Sequence, residues 1–356
     1  MPPSENAVRD AFASQAAACA KRGSPFTSRL CEALGRGLDR STEVGRRVLA
    51  WSGRPDARGD SVPLRLAGGL HALARCGRLP QRLAALYPPA PVPEPEAFEA
   101  ALAEALRDVE AELSPWLDRS PQTNEPMRAA PLMAGLLAIA AETGGMPVAL
   151  HEIGASAGLL LVLDRYEHRL GGTTAGGLGS PVVLSPAWEG AAPPSAAPVR
   201  VLRRRGSDLA PLDVTDPADR ERLLAYVWPD QPDRIARAEA AIGITAGDPP
   251  RLDRAEAAAW TEAVIDPEAA EPGAARVLMH AVALQYAPEE TVARVAAQAA
   301  RAGARATDAA PFAWLRFEAD PEFDERGSLR LTLWPGGAER VLALGDTHGE
   351  SLRWLD

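Results

Sequence analysis

Val148-Ala149-Leu150-His151-Glu152-Ile153-Gly154-Ala155-Ser156-Ala157-Gly158-Leu159 is the stretch on which the reading of this chain turns. Its first half is short, apolar and carries β-branched residues, as a buried strand should. Gly154 to Gly158 have almost no side chain, so the backbone can turn sharply and a ligand can approach it closely. The run that follows, Leu159-Leu160-Leu161-Val162-Leu163 and on to Leu170, is apolar on every side and predicts a helix packed into a sheet. A small-residue loop between strand and helix aims free N–H groups and the positive end of a helix dipole at one spot. The expectation is a ligand site at that spot.

Two chemistries suit these letters. Glu152-x-Gly154-x-Ser156-x-Gly158 resembles the acidic-x-Gly-x-Gly-x-Gly loop of class I S-adenosylmethionine-dependent methyltransferases, with Ser156 in place of the middle glycine. That resemblance implies a loop running under the methionine and ribose parts of S-adenosylmethionine. Gly154-Ala155-Ser156-Ala157-Gly158 is also G-x-S-x-G, the nucleophile-elbow pattern of α/β-hydrolases, which implies a serine esterase. A tight strand-to-helix turn with no ligand is the third reading.

The chain's 356 residues suffice for a full core and for two domains. Its 38 basic and 48 acidic residues give a net charge of −10, which argues against a nucleic-acid backbone or an anionic membrane as partner. Arg203-Arg204-Arg205 is a local basic patch within that balance. Cys19, Cys31 and Cys76 are odd in number, far apart and without a C-x-x-C pair, which disfavours a disulfide framework or a structural zinc site and suits a reducing compartment. The first twenty residues hold Glu5, Arg9 and Asp10 and lack an apolar core, unlike a signal peptide. No apolar run is long enough for a transmembrane helix, so the expected location is cytoplasmic.

Residues 1–145 read as helical throughout. Val8, Phe12 and Ala16 recur at helical spacing, as do Leu30, Leu34 and Leu38, and then Leu66, Leu70, Leu73 and Ala74, with Gly77 where a helix would stop. The proline-rich residues 87–95 predict an extended connector. Residues 96–113 predict one strong helix with Phe98, Leu102, Leu106, Val109 and Leu113 on one face. A polar knot at 120–128 precedes an apolar helix over 132–141. It is read either as a capped helix start or as Asn124, Glu125 and Arg128 placed at the rim of the loop after the first strand. No convincing strand precedes Val148.

Beyond the loop the pattern alternates. Residues 171–198, rich in Gly, Pro and Ala, predict an insertion with a short strand at 181–184. Residues 199–203 predict the second sheet strand, 216–228 and 234–242 helices, 242–248 a third strand, and 253–263 a helix. Residues 275–284 predict a fourth strand, 288–303 a helix opened by Pro288 and closed by Gly303, and 312–318 a fifth strand. Leu329, Leu331 and Leu333 alternate with polar residues, and Pro335-Gly336-Gly337 turns that strand back into residues 341–344. Alternating units of this kind imply a mainly parallel sheet with helices on both faces. The fold expected is therefore α/β and Rossmann-like, of methyltransferase type, ending in an antiparallel hairpin. An all-helical cap over 1–130 precedes a Rossmann-like domain over 131–356.

If the methyltransferase resemblance holds, other positions gain roles by their place. Glu152 would meet a cofactor hydroxyl, and Asp208 would bind the ribose hydroxyls, since a carboxylate accepts two hydrogen bonds at once. Asp248, after the third strand, would meet the adenine amino group, and Asn124, Gly154, Ser156 and Gly158 would line the cofactor. His280 and Gln285 would face the methyl-transfer end, with His280 the base. Each has a plainer reading: turn caps for the two aspartates, a satisfied core histidine for His280. The esterase reading meets an obstacle, because an elbow sits deep in a sheet after several strands and an oxyanion loop, and none precedes Val148.

The wider chain resembles an uncharacterised bacterial family catalogued as domain of unknown function 2332. The residues that carry this are Gln122-Thr123-Asn124-Glu125, Glu152 to Leu159 with Asp164-Arg165-Tyr166, Gly206-Ser207-Asp208-Leu209-Ala210-Pro211-Leu212-Asp213, Trp228-Pro229-Asp230-Gln231, His280 to Tyr286, and Trp334-Pro335-Gly336-Gly337. The family brings no reaction with it. The functional expectation is S-adenosylmethionine binding with methyl transfer to a small-molecule or protein acceptor. The competing expectation is a non-catalytic ligand-binding or interaction protein on the same fold.

Overall fold

The computed structural model describes residues 4–265 and 272–356. The chain divides into two compact units, Met1–Thr123 with Pro217–Ala236, and Asn124–Asp216 with Arg237–Asp356.

The first unit is helical. Its helices are α1 (Glu5–Lys21), α2 (Pro25–Gly37), α3 (Glu43–Leu49) and α4 (Val62–Arg75). The short α5 (Gln81–Ala84), α6 (Pro95–Asp108) and α7 (Glu110–Leu117) follow. The stripes read from sequence are the buried ones: Val8, Phe12, Leu30, Leu34, Leu66 and Leu70 share one core with Phe26 and Phe98. The single helix expected over 96–113 is two, parted at Val109, whose backbone leaves the helical region (φ −112°, ψ 22°) while its side chain stays in the core. The segment Pro217–Ala236 joins this unit through side chains: Asp230 accepts from the Phe26 N–H at 2.8 Å, and His71 Nδ1 meets the Ala225 carbonyl at 3.2 Å. That segment carries α9 (Pro217–Ala225) and the start of α10 (Pro232–Gly247).

The second unit is built on a large, mostly parallel sheet. After α8 (Ala129–Glu142) comes β1 (Val148–Ile153), and no strand precedes it among the described residues. There follow β2 (Glu167–Leu170), β3 (Thr173–Gly176), β4 (Val183–Leu184), β5 (Ala187–Glu189) and β6 (Val201–Asp208). Beyond them lie β7 (Arg251–Arg254), α11 (Ala257–Val264), β8 (Ala275–Ala281), α12 (Glu289–Gly303) and β9 (Phe312–Asp320). The chain ends in β10 (Arg326–Trp334), β11 (Glu339–Gly345) and β12 (Ser351–Trp354). The main sheet has the order β5-β12-β11-β10-β9-β8-β1-β6-β7, and β3-β2-β4 form a small second sheet. β7, β6, β1, β8 and β9 run parallel, and β10, β11 and β12 continue antiparallel. The expected terminal hairpin is β10–β11, extended by β12.

Three sequence expectations are corrected here. No α-helix follows the small-residue loop. Residues 159–166 form turns and one 3-10 turn, Leu163–Arg165, before β2. Side chains take the carbonyls that such a helix would need: Tyr166 Oη donates to Leu159 at 2.7 Å, Arg204 Nε to Leu161 at 2.9 Å, and His168 Nε2 meets Leu163 at 2.8 Å. The third strand is β7, not 242–248, which is the last part of α10. Ala238, Ala241, Ile242 and Thr245 are buried there at helical spacing, and a short apolar run alone does not separate helix from strand. The helix expected from 253 starts at Ala257, where Glu256 caps the N–H groups of Ala258 and Ala259.

Gly206 shows how tightly the loop after β1 is packed onto the sheet. A Cβ on Gly206 would lie 2.6 Å from the Ala155 Cβ and 3.0 Å from Leu161 Cδ1. Gly206→Ala is therefore expected to lower stability by about 1–3 kcal/mol through overpacking, read as a lower denaturant midpoint with unchanged slope. An unchanged midpoint would show that the loop gives way freely.

Candidate functional site

β1 stands between β6 and β8, and the chain moves outward through β6 and β7 before crossing back to β8 and β9. The strand order thus turns round between β1 and β8, the place where open α/β sheets take ligands at the carboxyl ends of their strands. Glu152, paired beside Gly206 and Met279, is the last residue but one of β1 there. His151 and Ile153 point to the opposite face of the sheet, where His151 faces the Trp260 ring.

Glu152 is only 1% exposed, and its Oε2 has no hydrogen-bond partner in the protein. Burial, with a smaller push from the Asp208 charge, raises its pKa from 4.5 to about 8, so the carboxyl is mostly protonated at neutral pH. Ser156 Oγ, also buried, has no partner either. The Ser156 backbone is left-handed (φ 52°) at the position where the resembling loop has glycine. Its N–H donates to Asp208 Oδ2 at 3.0 Å, and Asp208 Oδ1 accepts from the Ala210 N–H at 2.8 Å. Asp208 therefore fixes the loop, holding a turn that costs a non-glycine residue about 1–2 kcal/mol.

Three more loop donors are engaged within the protein. Ala155 N–H donates to the Ser207 carbonyl at 2.9 Å, Gly158 N–H to Ala155 at 2.7 Å, and Leu159 N–H to Asn124 Oδ1 at 2.9 Å. The glycines permit close approach, but to the protein itself: a Cβ would fall 2.6 Å from Ala283 at Gly154 and 2.6 Å from Pro250 at Gly158. So Asn124, Glu152, Gly154, Ser156, Gly158 and Asp208 do gather at one loop, and of these Glu152 and Ser156 carry the unpartnered atoms.

The other three positions stand differently. His280, 2% exposed, meets Glu318 Oε1 through Nδ1 at 2.6 Å and accepts from the Trp314 indole at Nε2, 3.2 Å. An indole N–H only donates, so Nε2 is the acceptor and Nδ1 carries the proton to Glu318. Both ring nitrogens are thereby used. Gln285 accepts from the Ala319 N–H at 3.0 Å and so ties the end of β9. Asp248 lies before the third strand instead of after it, exposed and paired with Arg165. Nor does Ser156 Oγ meet an imidazole, the partner that a nucleophile elbow needs.

Sequence reasoning missed Glu318. Its carboxylate also accepts from the N–H groups of Ala283 (2.9 Å), Leu284 (3.2 Å) and Gln285 (3.4 Å). Burial pushes its pKa up, but His280 and these donors together bring it below the ordinary carboxylate value. The sign in the sequence was an acid near the end of a strand that opens with four apolar residues. Val282, with φ 54°, is a β-branched residue in the left-handed region and had no sequence sign. Glu125 is buried and paired with Arg237 at 3.3 Å, and Arg128 donates to the Thr347 carbonyl at 3.1 Å. Among the described residues no cluster of three or more His, Cys, Asp and Glu converges as metal ligands, and no helix is long and apolar enough to cross a membrane.

The profile of a family described as uncharacterized protein conserved in bacteria (DUF2332) matches residues 9–354. No curated protein and no solved structure matches the chain.

Glu152 makes stability depend on pH in a defined direction. Its folded pKa, about 8, lies above the unfolded value near 4.5, so the fold holds an extra proton between them and loses stability as pH rises through that window. The full effect is on the order of several kcal/mol. Glu152→Gln keeps the shape without the titration, so its melting temperature is expected to fall less than that of the wild type from about pH 6 to about pH 9. Parallel curves would show that Glu152 does not titrate in this window.

Proposed function

The chain belongs to the bacterial family DUF2332, and we propose that it binds an adenosyl compound of the S-adenosylmethionine class at the carboxyl ends of β1 and β6. The observation that carries this reading is the Glu152 carboxyl, buried and without a partner at Oε2, at the turning point of the strand order. Native folds rarely leave such an atom unsatisfied, and a ligand hydroxyl is a natural partner. The protonated carboxyl of Glu152 both donates and accepts, as does the Ser156 hydroxyl, which suits the paired hydroxyls of a ribose. Asp208 contributes indirectly by holding the turn.

The fit has a defined limit. The N–H groups of Ala155, Ser156, Gly158 and Leu159 are engaged within the protein, so the methionine part would rest on side chains. With Glu152 only 1% exposed, a ligand gains it when the 154–158 loop parts from Ala283. S-Adenosylmethionine, when bound, supplies an electrophilic methyl group. His280 and Gln285 offer no free base toward it as they stand, which favours binding over transfer. Methyl transfer to a small-molecule or protein acceptor is the second reading. What favours it is a run of five parallel strands continued by an antiparallel hairpin, the kind of sheet that the methyltransferase resemblance implies.

Thermal shift with S-adenosylmethionine and its demethylated product tests the proposal. A ligand at a hundred times its Kd stabilises by about 2.7 kcal/mol, and the wild-type midpoint is expected to rise with concentration accordingly. Glu152→Gln and Ser156→Ala, both close in shape to the residues they replace, are expected to weaken binding about tenfold each, on the order of one charge-free hydrogen bond. A wild-type midpoint indifferent to both compounds would end the adenosyl reading.

A further inference from the structure

Two cysteines twelve positions apart in sequence come together inside the first unit. Cys19 on α1 and Cys31 on α2 are both 0% exposed, and their thiols lie near enough to act on each other's ionisation. Neither takes part in the site at β1. The hairpin that carries them is fixed at both ends. At the corner, the Ser24 hydroxyl and the Phe26 N–H are held by Asp230, and Gln231 Nε2 donates to the Arg22 carbonyl at 3.0 Å. Further along, a Cβ on Gly35 would stand 2.9 Å from the Phe12 Cβ, so the two helices lie close together. Arg9 adds a bond across the pair, from Nη1 to the Gly35 carbonyl at 2.6 Å. The third cysteine, Cys76, is exposed and stands apart from them on α4's end.

We propose that Cys19 and Cys31 form a redox pair which a hydroperoxide converts to an intramolecular disulfide, clamping α1 to α2. The Cys19 sulfur, as thiolate, attacks the peroxide oxygen. The O–O bond breaks, and with one proton the leaving oxygen departs as water or alcohol, giving a sulfenic acid on Cys19. The Cys31 sulfur then attacks the Cys19 sulfur, the S–O bond breaks, and the expelled hydroxide takes the Cys31 proton as water. Two thiols are oxidised by two electrons and the peroxide is reduced by two.

The order of attack follows from the surroundings. The neighbouring Cys31 thiol is the largest influence on Cys19 and lowers its thiol pKa, helped by the Gln15 amide at 3.3 Å and the Arg22 charge, against burial and the Asp230 charge. Cys31 is raised by the same thiol contact, by burial and by the Glu32 charge. Cys19, whose sulfur accepts from the Gln15 amide, is thus the one placed to attack. Because both sulfurs are enclosed, oxidant reaches them through local opening of the hairpin, and the reaction is slow beside that of an exposed thiolate.

The test uses the full chain carrying Cys76→Ser, reduced, exposed to hydrogen peroxide under native conditions, then unfolded and alkylated. Expected are the loss of two hydrogens, no alkylation at either cysteine, one peptide pair joined through Cys19 and Cys31, and reversal by dithiothreitol. The oxidised form should also melt at a higher temperature, since the link restricts the unfolded chain. Both cysteines fully alkylated after peroxide, or sulfinic acids without a link, would overturn the proposal. A second variant, Cys31→Ser with Cys76→Ser, should trap a dimedone adduct on Cys19, and the lack of one would remove Cys19 from the attacking role.

Discussion

Two carboxylates, each carried on the outer neighbour of a central strand, hold the two loops where the strand order turns. Asp208 at the end of β6 accepts the Ser156 N–H in the loop after β1. Glu318 near the end of β9 accepts the N–H groups of Ala283, Leu284 and Gln285 in the loop after β8. Each loop includes a non-glycine residue in the left-handed region, Ser156 in one and Val282 in the other. Such conformations persist only where the surroundings over-determine them, and a carboxylate gathering backbone donors does that. The loops then meet, because Gly154 leaves just the space that Ala283 occupies. Everything said of the site depends on this double clamp.

The clamp also explains why neither ring nitrogen of His280 is free. Glu318 accepts the hydrogen bond from Nδ1, and Trp314 donates to Nε2, so the imidazole is a strut between two strands. Arg316 lies over the Trp314 ring, its guanidinium carbon 4.2 Å from the centroid, and fixes the indole in turn. A polar network in which both imidazole nitrogens and the carboxylate are satisfied gains rigidity at the expense of reactivity.

The sheet was legible because its strands differ sharply from what flanks them. Val148 to Ile153 and Ala275 to Ala281 are buried along their whole length and read as apolar runs. The N-terminal helices were legible from their stripes, which became one core. What failed was local and had a common cause, since distant groups decided it. Leu159 to Leu163 looked helical, but Tyr166, His168 and Arg204 claim the carbonyls, and no periodicity announces that. Residues 242–248 looked like a strand because Ile242 and Ile244 are β-branched, yet the stripe through Ala238, Ala241 and Thr245 binds them into α10. For the site, the acid, the small residues and Asp208 were readable as a group. That the glycines face Ala283 and Pro250, and that Asp208 serves the backbone, depended on packing that only coordinates show.

Glu152 is where these constraints leave something over. An ionised carboxylate at 1% exposure, beside the Asp208 charge, would carry a desolvation cost that the surrounding apolar residues cannot offset. Taking up a proton is the cheaper course, and a pKa near 8 says that this is what happens at neutral pH. A neutral carboxyl still has a hydroxyl to donate and lone pairs to fill, and Oε2 finds neither use within the protein. An apolar side chain would pack there without that debt, since replacing a buried polar group by an apolar one of like shape is often neutral or stabilising. For a purely structural turn, then, glutamate is the wrong residue. It becomes the right one if something polar from outside the chain completes its hydrogen bonds, which is why the proposed ligand is placed at this carboxyl and not at the loop's backbone.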